Sequence, residues 1–175
     1  MKDNESLHLL LEQLHELGDL ELGRGPRHPT SPNQRLSTEV TNFLDTYSFL
    51  VQDRSYVDFL ECYSGLLLYQ DSNSGSLSVY GFDDSVTLHI VKGEGPLIDE
   101  AGVLTFADLV IPIQKEDRGE EDLLSFGFGF DTTQKRGWGV YRITDTQPWH
   151  WYCSTFLEWL QRLGRQKIFL LEDTE

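Results

Sequence analysis

Phenylalanine stands at every second position where the stretch SFGFGFDTTQKRGWGVYRI, residues 125–143, begins, and glycine alternates with it. Period two is the signature of a strand, whose successive side chains take opposite faces. Phe126, Phe128 and Phe130 therefore share one buried face. Gly127 and Gly129 fall on the other, where something packs closely or the sheet bends. Asp131 to Gly137 supplies a turn, and GWGVYRIT continues as a second strand with Val140 inward. The stretch predicts a β-hairpin. It does not predict a phosphate cradle, because a dinucleotide fingerprint must run from a strand into a helix whose amides meet the phosphate. A P-loop also needs G-K-[ST], which the chain lacks.

Around this hairpin the periodicity is helical in four places. Leu7, Leu10, Leu11, Leu14 and Leu17 predict an amphipathic helix over 4–17, stopped near Gly18. Val40, Phe43, Leu44, Tyr47 and Leu50 predict a second over 38–50. Tyr56, Phe59, Leu60 and Tyr63 predict a third, with Ser55 and Asp58 as a capping box and Gly65 as its left-handed stop. A last helix is expected over 154–163, with Phe156, Leu157, Leu160 and Leu163 inward. LLLYQ and SLSVYGF, separated by DSNSG, read as a hairpin. SVTLHIVK reads as a strand, with a short helical turn after GFDDS as the alternative, and VLTFADLVIPI reads as a strand that ends at Pro112. GRGPRHPTSPNQR, residues 23–35, reads as an irregular linker. The expected organisation is an N-terminal amphipathic helix within 1–22, a Pro/Gly/Arg linker over 23–36, and an α+β domain over 37–170. That domain is a single, mainly antiparallel sheet flanked by helices.

The chain's 175 residues suit one domain with its own core. Its net charge of −15 opposes nucleic acid and anionic membrane and would steer a basic partner inward. No apolar run reaches the roughly 18–20 residues of a membrane helix, and Met1–Asn4 does not open a signal peptide. Cys62 and Cys153 have no metal spacing, so reduced thiols and a cytoplasmic location are expected. His8, Glu12 and His15 share a helix face, but the two histidines lie about 10 Å apart along the axis, too far for one ion. No metal or cofactor is therefore expected. Asp83 with Asp84, and Asp99 with Glu100, read as solvated pairs; His89 and His150 stand alone. Trp149 and Trp151 fall on one side of an extended segment, as packing residues or as an aromatic anchor.

The order of these elements resembles the SUKH superfamily, which includes bacterial immunity proteins and fungal cell-wall-synthesis regulators. The resemblance covers residues 37–163. It rests on Tyr56, Phe59, Leu60 and Gly65, on Phe106 and Ile113, on Asp131 and Gly139-Val140-Tyr141, and on Phe156, Leu157 and Leu160. It implies a non-catalytic α+β domain that binds a protein: a cognate toxin, often a basic nuclease, or a regulated partner. VQDRS stands where the family usually has a Leu-Pro pair. Interface residues are expected in KEDRGEED, namely Glu116, Asp117, Glu120, Glu121 and Asp122, with Trp138 as a dry anchor. The alternative is a small enzyme or ligand-binding domain whose site converges from distant polar residues such as Asp83, His89 and Asp131.

Overall fold

The structure is a computed structural model that describes residues 2–26, 35–69, 75–82, 97–98, 102–114, 121–144 and 149–165. The helices are α1 (Lys2–Leu14), α2 (Thr38–Thr46), α3 (Arg54–Cys62) and α4 (Phe156–Arg165). The strands are β1 (Asp19–Leu22), β2 (Leu66–Tyr69), β3 (Ser76–Val79), β4 (Leu97–Ile98), β5 (Val103–Gln114), β6 (Glu121–Asp131), β7 (Val140–Ile143) and β8 (His150–Cys153). One antiparallel sheet runs β1-β2-β3-β5-β6-β7-β8, with β4 pairing β5 beside β3. The α+β class with an N-terminal helix matches the reading of the sequence.

The first 22 residues do more than form a helix. α1 ends at Leu14, a 3₁₀ turn covers His15–Leu17, and Asp19–Leu22 pairs β2 as an edge strand. Leu7, Leu11 and Leu14 are buried in the same core as α3 and α4. The start of the expected linker is tied down as well. Gly23 N donates to Gly65 O at 2.9 Å, and Gly25 N to Cys62 O at 3.1 Å. Any side chain at Gly25 would overlap the Glu61 carbonyl, so backbone meets backbone here. Residues 27–34 lie outside the described residues, as does the strand expected in SVTLHIVK.

α3 shows the largest departures. Its N-cap is Asp53, whose side chain accepts from Tyr56 N, and not a Ser55–Asp58 box. Asp58 instead pairs with Arg54 at 3.0 Å. Ser64, at φ 46°, takes the left-handed position expected of Gly65, which follows at φ 144°. The Ser64 hydroxyl is held by accepting Phe82 N at 2.5 Å. Ser55 to Cys62 are all buried, including the polar members. Asp53 Oδ2 accepts Phe156 N at 2.6 Å and Ser55 Oγ accepts Leu157 N at 3.1 Å, so α3 satisfies the first two amides of α4. Thr155 Oγ1 takes the third, from Glu158. At the other end of α3, Glu61 Oε1 accepts from Ser37 N at 2.6 Å and fixes the residue that caps α2.

Two more expectations shift. α2 stops at Thr46 and gives way to a 3₁₀ turn over Ser48–Gln52. β5 continues through Pro112 to Gln114: among the described residues β3 leaves it at Val110, so the missing N–H there faces an unpaired edge. Phe126, Phe128 and Phe130 are buried as expected. Opposite them the register slips between Thr105 and Ala107, and this bulge turns Phe106 inward. Phe106 lies 5.0 Å from both the Phe130 and Trp159 rings and 5.4 Å from Phe156. Gly129 sits against the bend, where a Cβ would stand 2.5 Å from Leu104 O.

Two substitutions test this core. Phe128→Ala should lower unfolding free energy by about 3–5 kcal/mol, the range for an emptied aromatic site. Asp53→Ala removes an N-cap and leaves the Phe156 amide unpaired, which together cost about 2–4 kcal/mol. Urea denaturation measures both. A loss under about 1 kcal/mol for Asp53→Ala, below the usual penalty for one orphaned buried donor, would remove the shared cap from the account.

Candidate functional site

β5 and β6 outrun their neighbours. β3 leaves β5 at Val110 and β7 leaves β6 at Gly127, so among the described residues Ile111–Gln114 and Glu121–Leu124 pair only with each other. They form a two-stranded arm extending about 13 Å beyond the sheet, four residues at about 3.3 Å each. Glu121 and Asp122 stand on it, opposite Gln114 and Ile113. Glu116, Asp117 and Glu120 lie outside the described residues. Trp138 is not near this arm. It follows the far end of β6, about 33 Å away along a strand of this length, and it stacks on Phe130 at 5.3 Å and meets Phe49 in a T-shaped contact. Glu121 and Asp122 and the tryptophan expected to act with them thus lie at opposite ends of one strand.

The far end is built around Asp131. Its Oδ1 accepts Thr133 N at 2.9 Å and Thr133 Oγ1 at 2.5 Å, an Asx turn. Its Oδ2 accepts Arg136 N at 2.9 Å and meets the Arg136 guanidinium at 3.5 Å. Thr132 N and Oγ1 both donate to Gly102 O, and Tyr141 OH donates to Arg136 O at 2.7 Å. Burial alone would raise the Asp131 pKa, but the donors from Thr133 and Arg136 outweigh it and hold the carboxyl below its ordinary range. All the acceptor positions of this carboxylate are taken, so its role is to shape the loop.

The ordered loop bounds an open cleft of about 190 Å³, lined by Gln52, Phe130, Asp131, Gln134, Gly137, Trp138 and Gly139. On the neighbouring surface the Arg136 guanidinium lies 3.9 Å over the Trp149 ring, which meets Tyr141 edge-on. Trp151 pairs with Tyr141 across β7 and β8 and is half exposed. Its indole lies over Gly139, where a Cβ would approach Nε1 to 2.5 Å. Trp149 and Trp151 thus share Tyr141's side of the sheet, as their spacing suggested.

The other candidates take structural places. His8 contacts Glu12 at 3.3 Å and Tyr63 OH at 3.0 Å, and no group of three potential metal ligands occurs among the described residues. Burial, with Glu158 nearby, pushes the Cys153 thiol up to about 12, which keeps it protonated at neutral pH. Cys62 is also a buried thiol. Among the described residues no helix is long and apolar enough to cross a membrane. Asp83, Asp84, His89, Asp99 and Glu100 lie outside the described residues. Sequence reading missed Gln52 and the Arg136–Trp149 stack. It had a signal for the Asp131 turn in D-T-T at a strand end. No family model, curated protein or solved structure matches the chain.

The loop carries its own pH test. A carboxyl with a lowered folded pKa contributes stability that is full above its unfolded value, near 3.8, and is lost as pH falls through the folded value. Asp131→Asn should therefore cost about 1–3 kcal/mol at neutral pH. That gap should close on acidification below pH 3.8. A gap that stays constant over the same acid range in urea titrations would contradict an ionised Asp131.

Proposed function

We propose that the chain is a non-catalytic binding protein of the SUKH kind that neutralises a basic toxin domain through acidic surface. The observation that carries this reading is the β5–β6 arm, which lifts Glu121 and Asp122 clear of the sheet on strands without lateral neighbours among the described residues. The adjoining sequence adds Glu116, Asp117 and Glu120. A projecting acidic arm on a chain of net charge −15 raises the encounter rate with a basic protein and repels nucleic acid that would compete for it. The α+β architecture agrees with the one implied by the resemblance. Asp131, a member of the alternative polar site, supports this choice because its lone pairs are committed to its own loop.

A toxin domain encoded beside this chain is the partner to try. Co-expression should give a complex in which the toxin is inhibited; full toxin activity in the presence of excess protein would overturn the reading. Replacing Glu116, Asp117, Glu120, Glu121 and Asp122 by their amides should slow association at low salt by about tenfold or more, with a smaller effect on dissociation. The difference should shrink as salt rises, because screening shortens the range of the field. An association rate unchanged at low salt would leave the negative charge as a solubility feature.

A further inference from the structure

We propose that the β6–β7 loop and the adjoining end of β8 form a second protein-docking surface, one that takes an acidic, extended segment carrying an apolar side chain. Charge complementarity selects this occupant: Lys135 and Arg136 place two adjacent exposed cations on a chain of net charge −15. The Arg136 side chain is 39% exposed even while it meets Asp131 and lies over Trp149. Beside these cations Trp151 is 50% exposed, and the cleft of about 190 Å³ opens next to Trp138. Gly139 joins the two features, since it lines the cleft and lies under the Trp151 indole. Tryptophan, tyrosine and arginine around a pocket are the residue types that dominate protein interfaces.

The loop is also ordered before any partner arrives. Asp131 holds the Thr133 and Arg136 amides, Gly102 holds Thr132, and Tyr141 holds the Arg136 carbonyl. Gln134 keeps a left-handed backbone, φ 57°, inside this frame. A surface of this kind binds without the entropy loss of ordering a flexible loop. A partner carboxylate meets Lys135 and Arg136, while its neighbouring aliphatic side chain enters the cleft that Phe130 and Trp138 line. The surface lies at the opposite end of β6 from the acidic arm, so it is independent of the arm and of the arm's basic partner.

The test uses the full chain, labelled with ¹⁵N, and an acetylated and amidated peptide Glu-Asp-Leu-Glu-Asp as probe. The same peptide with lysine at every acidic position and free glutamate serve as controls. The acidic peptide should move the indole N–H signals of Trp138 and Trp151 and the amides of Lys135 and Arg136, saturating in the millimolar range. The buried Trp159 indole should stay in place, as should the amides of the arm. Lys135→Glu, an exposed position away from the core, should weaken the peptide by roughly three- to tenfold. Absence of shifts at millimolar peptide, equal shifts from the lysine peptide, full reproduction by free glutamate, or unchanged affinity in Lys135→Glu would each overturn the proposal.

Discussion

A single buried carboxylate joins the two halves of this fold. Asp53 caps α3 through the Tyr56 amide and, with its other oxygen, caps α4 through the Phe156 amide from far along the chain. Ser55, which donates to Asp53 at 2.6 Å, holds the next amide of α4. Burial raises the Asp53 pKa against the opposing pull of the Ser55, Phe156 and Tyr56 donors. The carboxylate is tolerable inside only because these donors converge on it. Break the arrangement and the start of α4 loses partners that no water can replace in a buried setting.

The aromatic core depends on that docking. α3 and α4 bring Tyr56, Phe156 and Trp159 against Phe106, Phe128 and Phe130 of the sheet. The bulge in β5 lets Phe106 and Ala107 both face inward opposite Phe128. The same bend brings the backbone of β5 onto Gly129, which explains why a strand so rich in phenylalanine carries glycine on its other face. With its middle held this firmly, β6 acts as a rigid spacer. The acidic arm at its start and the Lys135–Arg136 loop past its end therefore keep a fixed separation.

Charge is distributed in the same spirit elsewhere. Asp53, Glu61 and Asp131 are buried, and each is surrounded by donors that stabilise a turn or a helix start. Their negative charge is used internally. The surplus that gives the chain its −15 therefore resides on other acids, among them the exposed Glu12, Glu16, Asp19, Glu21, Glu39 and Asp45. Buried acid specifies the fold, and exposed acid supplies the negative field around the molecule.

The sequence by itself determined the α+β class, the period-two face of Phe126, Phe128 and Phe130, and the apolar stripes of the helices. These follow from local periodicity, which needs no knowledge of what lies opposite. It also marked the turn at Asp131 through residues whose side chains bond their own backbone. Tertiary structure alone decided that Asp19–Leu22 is a strand, because a short edge strand with alternating acids takes its conformation from β2. It likewise decided that Asp53, and not Ser55 with Asp58, starts α3: the Tyr56 amide it caps is local, but the Phe156 and Leu157 amides that occupy Asp53 and Ser55 are remote in sequence. The separation of Trp138 from the acidic arm belongs to the same class. Positions close in an unfolded chain were placed at opposite ends of β6 because its eleven residues run straight through the sheet, and strand geometry converts length directly into distance.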